Sequence, residues 1–411
     1  MKHERVLVTG VGVLTSIATG FDDFASALQT GRCGAARLTG DDASIKGIDN
    51  LLFYKVRDFD PAAHFDRRSL RRMDPCAQLA VVAARQAVAH ADLDPSSVDP
   101  QRSGVVFGTV AGGASNGRRY GRRLAATGHR HASLLYDYPY YSAGARIVGE
   151  FGWRGPNLSF STGCASSGLA LGYAAELVRQ GQMDVVLAGG GEAFNRGTIA
   201  LFDTLRLLAK DAMRPFDQGR TGTVLGEAAA FLCLESESHA QRRGRQPLAE
   251  ILGWGGSAEA FHMTAAEPTG RGIALAMSRA LDRAGVKPGN IEYINAHGNS
   301  TFADVAESRA IRKVFGAHAA HVPVSSTKAM YGNVNGASGA VEAVTVIAAM
   351  RDSFIPPTIN FVTPDPRCVI DCVPNQARPQ RLKIAMSNNS GFGGAGSSLV
   401  LRSCFTTSQP N

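Results

Sequence analysis

Long apolar segments are missing from the start of this chain. Met1-Lys-His-Glu-Arg5 carries charge of both signs, and the apolar run after it is broken by Thr9, Gly10 and Gly12. Neither a signal peptide nor a membrane-spanning helix has that form, so a cytoplasmic protein is expected. Aromatic residues are scarce at 7%. No basic stretch is interleaved with them, which argues against a stacking platform for nucleic acid. The seven cysteines are odd in number and lack paired spacing, which speaks against a disulfide framework and for a reducing compartment. Cys368 and Cys372 have no second pair to complete a zinc site, and His318 and His321 have no acidic or cysteine partner nearby, so no bound metal is expected. Charged or Pro/Ser-rich linkers are absent as well.

What the chain has in excess is glycine, 46 of 411 residues, which implies many tight turns and close backbone approaches. The rest of the composition, 44% hydrophobic and 19% charged, is that of a soluble globular protein. The length suits one large or two modest domains. A net charge of +8 and a pI of about 9.2 point to an acidic partner. Two patches carry much of that charge. Arg67, Arg68, Arg71 and Arg72 fall at helical spacing, as do Arg118, Arg119, Arg122 and Arg123. Each patch reads either as a solvated helix face or as a docking surface for an acidic protein.

Short β-branched or apolar runs at 5–10, 104–109, 184–190, 230–234, 291–296, 321–325, 383–387 and 398–402 predict strands. Helical patterns alternate with them at about 22–30, 76–92, 168–180, 272–284, 304–315 and 338–351. That alternation implies an α/β architecture with helices covering sheets. Arg242-Arg-Gly-Arg-Gln246 is the best candidate for a boundary, giving halves of 1–245 and 246–411. The halves echo each other, since each has a small-residue turn feeding a Gly/Ala-rich helix, at 163–178 and 335–350. An internal duplication is therefore expected.

Cys164 is the most informative residue. Ser159-Phe-Ser-Thr-Gly-Cys-Ala-Ser-Ser-Gly168 leads from an extended segment into an apolar helix. A thiol on the turn entering a helix sits where free backbone N–H groups and the dipole favour an anion, which lowers its pKa. Gly163, Ala165, Ser166 and Ser167 leave room for approach to the sulfur. Val8-Thr-Gly-Val-Gly12 is only a partial dinucleotide fingerprint, with no third glycine, and a tight strand-to-helix turn accounts for it. Asn295-Ala-His-Gly-Asn-Ser-Thr301 puts His297 on a strand-end loop, where catalytic residues collect. Lys328 and Asn333 lie on a loop before a buried helix, and Phe392 sits in a glycine-rich bend near the end.

Taken in order, these segments closely resemble the β-ketoacyl synthases, the condensing enzymes of the thiolase superfamily. Met73-Asp74, Arg214-Pro-Phe-Asp217, Leu225-Gly-Glu-Ala228, Phe261-His-Met-Thr264 and Ile355-Pro-Pro-Thr-Ile-Asn360 extend the resemblance from Val6 to about Arg402. It implies a thiolase-like fold of two βαβαβαββ halves in five α-β-α-β-α layers, usually dimeric. By resemblance Cys164 is the acyl-accepting nucleophile, His297 the first catalytic histidine and Lys328 the active-site lysine. Glu307 is the acidic residue near it and Phe392 the gating aromatic, while the N–H groups of Cys164 and Phe392 form the oxyanion hole. Thr264 and Thr301 are implied contacts to phosphopantetheine, which arrives on an acyl carrier protein, so no permanently bound cofactor is expected. The carrier would dock on Arg67, Arg68, Arg71 and Arg72.

The chain departs from the elongating synthases in one telling place. Asn333 stands where they carry a second histidine, giving a Cys-His-Asn set. An asparagine amide can donate a hydrogen bond to a thioester carbonyl but cannot exchange a proton. Asn299 replaces a threonine, Ser390 a phenylalanine and Gly396 an asparagine of the usual pattern, and the loop after His297 is one residue shorter. The reading is a discrete synthase condensing a Cys-bound acyl chain with malonyl-acyl carrier protein. The alternative is a synthase-like acyltransferase that delivers the acyl group to an O, N or S acceptor without decarboxylation. A non-catalytic subunit like the chain-length factors is opposed by the intact Cys164 and His297. A dimer is expected, either of two identical chains or with a chain-length-factor-like subunit.

Overall fold

Val6–Leu14 forms β1, buried at all of its positions, as a strand covered on both faces must be. In the computed structural model, which describes residues 3–39, 45, 48 and 51–405, β1 lies inside an eleven-stranded sheet. The chain continues through α1 (Phe21–Gln29), β2 (Ala36–Arg37), β3 (Leu52–Phe53), α2 (Arg67–Leu70), α3 (Pro75–His90) and β4 (Ser103–Gly108). Then come α4 (Ala114–Thr127), α5 (Ser142–Phe151), β5 (Asn157–Phe160), α6 (Ser166–Arg179), β6 (Val185–Glu192), α7 (Arg196–Thr204) and β7 (Ala228–Ser236). After α8 (Glu237–Arg242) follow β8 (Ala249–Ala258), α9 (Arg271–Ala284), β9 (Tyr293–Asn295), α10 (Ala303–Phe315) and β10 (Pro323–Ser325). The last elements are α11 (Lys328–Tyr331), α12 (Ser338–Asp352), β11 (Phe354–Ile355), β12 (Asp371–Cys372), β13 (Arg378–Pro379), β14 (Ile384–Ser390) and β15 (Ala395–Ser403).

The duplication is written in the strand order. One half of the sheet runs β5-β4-β6-β7-β1 and the other β10-β9-β14-β15-β8, with β12 added outside β10. Counted by appearance within its half, each reads third, second, fourth, fifth, first. The pairing senses repeat too. β4 is parallel to β5 and β6 as β9 is to β10 and β14, and the remaining pairs are antiparallel in both halves. Among the described residues, strand pairing joins the two half-sheets where Leu7 and Val8 meet Glu250 and Ala249.

Helices complete a five-layer stack. α3 and α5 cover the outer face of the first half-sheet, α9 and α10 that of the second, and α6 and α12 lie together between the two. From Ser338 to Met350 every residue of α12 is buried, consistent with a helix apolar nearly all round. Gly10 and Gly12 are not in a strand-to-helix turn as expected; they lie within β1. Their smallness admits α3, since a Cβ on Gly12 would stand 2.0 Å from the Ala83 carbonyl oxygen. Gly255 of β8 repeats the arrangement, at 2.0 Å from the Ala276 oxygen of α9.

All eight expected strands and six expected helices are present, with ends shifted by a few residues. β8 went unread because Gly253, Gly255 and Gly256 look like breakers. Helix α4 was legible only at its arginines, whose helical spacing gave no extent, because Gly117, Gly121 and those arginines leave it no apolar stripe. Among the described residues, no helix is long and apolar enough to cross a membrane.

Candidate active site

Cys164 sits on a turn that the chain folds tightly for local reasons. Gly163 takes φ 60°, a left-handed conformation that favours glycine. The Ser166 hydroxyl then accepts from Thr162 N at 2.8 Å and donates to the Gly163 carbonyl at 2.6 Å. The turn is pressed against the glycine-rich bend before β15. A Cβ on Gly391 would stand 2.5 Å from Cys164 N, and one on Gly163 would stand 2.9 Å from Phe392 N. The two segments whose N–H groups are expected to form an oxyanion hole are thus in contact. The Phe392 ring stacks on Phe202 of α7 at 5.2 Å.

Across the cavity, the second half supplies the rest. The Cys164 Sγ lies 3.7 Å from Asn333 Oδ1. The Asn333 backbone is fixed like a strand residue, donating to Val224 O at 2.8 Å and accepting from Gly226 N at 3.0 Å. His297 follows β9, and Glu307 of α10 holds its loop by accepting from His297 N at 2.8 Å and Gly298 N at 2.9 Å. Lys328 Nζ donates to the His297 carbonyl at 2.8 Å and pairs with Glu342 of α12. Asn389 donates to the other oxygen of Glu342. Glu307 is therefore not the ion partner of Lys328; it is a backbone clamp, and Glu342 is the partner. Sequence reading missed Glu342, although a carboxylate between Val341 and Ala343 in an apolar helix was a signal.

Burial governs the charge states. It pushes the Cys164 thiol up to about 11, against the pull of Lys328, with Glu192 and Glu342 adding to the rise. The expectation of a lowered thiol pKa is corrected accordingly: desolvation outweighs what favours the anion at this turn. Burial first and Lys328 second hold His297 far below its usual value, so it is neutral. The same desolvation raises Glu307 and Glu342 to about 7. Among the buried polar atoms without a protein partner are His297 Nδ1 and Asn333 Nδ2.

Cys164, His297 and Asn333 all line one cavity of about 550 Å³, and so do Thr264, Thr301 and Phe392. Thr301 donates to Asn299 at 2.7 Å and Thr264 N donates to His262 Nδ1 at 3.1 Å, so both threonines are held on the wall. Ser390 lines the same space. Gly396 faces Ser257, whose hydroxyl would stand 2.6 Å from a Cβ there.

The basic patches are reshaped. Helix α2 is only four residues long, capped by Asp66, which accepts from Arg68 N at 2.7 Å and Ser69 N at 3.0 Å. Arg67, Arg68 and Arg71 are exposed and Arg72 is half-buried. On α4, Asn116 donates to the Arg72 carbonyl at 2.6 Å and Arg119 to the Arg71 carbonyl at 3.4 Å. The two patches are one surface.

Comparison with known proteins agrees with this geometry. The β-ketoacyl synthase N-terminal domain matches residues 3–240, and the β-ketoacyl synthase C-terminal domain matches 248–362. The 3-oxoacyl-[acyl-carrier-protein] synthase 2 of Coxiella burnetii is 38% identical, over 98% of this chain and all of its own length. The ishigamide ketosynthase/chain length factor superposes with a TM-score of 0.92 at 34% identity, covering 98% of this chain and 99% of that one. A type II polyketide ketosynthase, solved bound to a hexaketide in complex with its acyl-carrier protein, gives a TM-score of 0.90 at 31% identity, over 98% of this chain and 100% of that one. With both family domains matched along most of its length and the fold shared, this chain belongs to the β-ketoacyl synthases of fatty acid or polyketide biosynthesis.

Proposed function

We propose that this chain condenses a Cys164-bound acyl group with malonyl-acyl carrier protein, losing CO2. The observation that carries the reading is the meeting of Cys164, His297 and Asn333 at one cavity, with the Cys164 sulfur 3.7 Å from Asn333 Oδ1. In the first step Cys164 Sγ bonds to the acyl carbonyl carbon. The bond to the phosphopantetheine sulfur breaks, and that thiol leaves with the proton of Cys164. The N–H groups of Cys164 and Phe392 hold the oxyanion. In the second, the malonyl thioester oxygen accepts hydrogen bonds from His297 and Asn333 as the carboxylate leaves as CO2. The enolate carbon attacks the acyl carbonyl and Cys164 departs as thiolate. Neutral His297 suits the donor role, because it keeps one ring N–H. Phosphopantetheine is delivered by the carrier along the wall of Thr264 and Thr301, so no resident cofactor is required.

The test uses malonyl-acyl carrier protein and the wild-type enzyme. Release of CO2 is expected, with Asn333→Ala reducing it by about 10²–10³ as for loss of one preorganised donor, and with acylation of Cys164 largely spared. Acylated Cys164 without any CO2 release would instead establish plain acyl transfer to another acceptor.

We further propose a dimer formed across the β5 edge. β5 ends the sheet, and Tyr136, Tyr138, Tyr140, Tyr141 and Tyr173 are exposed, with Tyr173 packed on Phe160 of that strand and the Tyr140 carbonyl bonded to Ser159. Light scattering should give twice the chain mass, and Tyr136→Asp with Tyr141→Asp should give monomer. A monomeric wild type would favour pairing with a chain-length-factor-like subunit instead.

A further inference from the structure

Glu192, at the end of β6, has no part in the chemistry above, yet it is a buried carboxylate beside the site. Its Oε2 accepts from Val110 N at 2.8 Å and Gly336 N at 2.9 Å. Its Oε1 accepts from Ala111 N at 2.8 Å and from the Thr109 hydroxyl at 3.1 Å. All four donors are backbone or hydroxyl groups rather than a cation. Three come from the loop after β4, and one from the turn that carries Asn333.

The packing around this carboxylate is backbone against backbone. A Cβ on Gly336 would lie 2.5 Å from Thr109 Cα, and one on Gly190 would lie 2.7 Å from Ser167 of α6 and 3.0 Å from the Gly336 oxygen. Within the turn, Asn335 takes φ 44°, a conformation that a residue with a side chain adopts only under constraint. Asn333 itself is anchored on one side alone, by Val224 and Gly226. Glu192 supplies the anchor on the other side, at Gly336.

We infer that Glu192 is a positioning residue: by tying the Asn333–Gly336 turn to the Thr109–Ala111 loop, it holds the Asn333 amide against Cys164. Burying a carboxylate without a counter-ion is unfavourable, and desolvation raises Glu192 to about 7 despite its four donors. A residue that served only to fill this space could be apolar. The donors it satisfies, on two loops from different halves, account for a carboxylate here. The catalytic arm of the inference rests on the proposed role of Asn333; the structural arm does not.

Glu192→Gln tests it. The amide replaces one acceptor with an NH2 group that faces N–H donors, so one oxygen's bonds are lost. Hydrogen exchange should accelerate about 10-fold or more in residues 109–113 and 334–338 together, while the Asn333 and Gly226 amides, held by the pairing with 224–226, change less. Malonyl decarboxylation should fall about 10-fold or more while Cys164 acylation changes by less than about threefold, and in an Asn333→Ala background the second substitution should add less than about twofold. Loosening of one segment alone overturns the clamp. Losses that add in full, or that strike acylation and decarboxylation equally, overturn the positioning role. If the wild type releases no CO2, the condensation reading fails while the exchange experiment still decides the clamp. If Glu192→Gln does not yield folded protein, Glu192→Asp, with its carboxylate drawn back by one methylene, is held to the same paired loosening and the same non-additivity.

Discussion

At Cys164, two neighbourhoods of the same atom compete. The turn into α6 offers backbone donors, but the sulfur is also enclosed, and enclosure moves its pKa by more than the donors and Lys328 return. Cys164 is then a thiol at neutral pH, and in the proposed reaction its thiolate forms as the substrate thioester arrives. Because the thiol titrates near 11, its anionic fraction should grow about tenfold per pH unit throughout the neutral and mildly alkaline range. Alkylation of Cys164 by iodoacetamide, followed by peptide mass spectrometry, should accelerate from pH 7 to 9.5 without levelling off. A plateau reached below pH 8 would show an activated thiolate instead. The identity of this residue was legible from Gly163 and its small neighbours, because a turn of that kind is a local property. Its pKa was not, because both its burial and the charges that act on it, those of Lys328, Glu192 and Glu342, come from residues far away in sequence. The pairing of Lys328 with Glu342 rather than Glu307 was hidden for the same reason.

At the level of elements, helices were legible from end to end where an apolar stripe faces a sheet, as in α3 and α9, and only through the spacing of their charges where it does not, as in α4. The consequence falls on the basic surface. Read from sequence it is two separate arginine groups; in the fold, Asn116 and Arg119 of α4 dock on the carbonyls of Arg72 and Arg71. The two groups are thus neighbours, and a carrier protein docking on the first, as the resemblance implies, would meet the second as well. Charge reversal at Arg68 on α2 and at Arg122 on α4 should each slow association with an acyl carrier protein, and the pair together should slow it more. The penalty should shrink between about 0.05 and 0.5 M salt, since exposed charges are screened beyond roughly 10 Å at 0.1 M. Stopped-flow association rates would measure this. A small acyl-thioester mimic should react normally with every variant, and an unchanged association rate for the double reversal would reduce the surface to ordinary solvation.

Over the whole molecule, the duplication sets what each half must contribute: the first brings Cys164, and the second brings His297, Lys328 and Asn333. Among the described residues the two half-sheets are paired only through a short bridge between β1 and β8, and the chain passes from one half to the other just before β8. Glu235 at the end of β7 ties the start of that passage back onto the first half. Its carboxylate is fully buried, bonds to Thr9 of β1 and His239 of α8, and takes Arg243 from the crossing segment on both oxygens. Arg245 then reaches the Thr9 carbonyl at 3.1 Å. Although desolvation opposes ionisation, the bonds to Arg243, His239 and Thr9 together hold Glu235 down at about 2, well under its value of 4.5 in an unfolded chain. A depressed carboxylate stabilises the fold above its unfolded pKa, and that contribution is lost as the pH falls through the folded one. The span from 4.5 to about 2 corresponds to ~3 kcal/mol. Glu192, Glu307 and Glu342 are shifted the other way, so a comparison with a variant is needed to isolate this group. Glu235→Gln should therefore be less stable than the wild type at pH 7, and the gap should close as urea midpoints are followed from pH 5 down to pH 2.5. A gap that stays constant over that range would mean Glu235 is no more ionised in the fold than outside it.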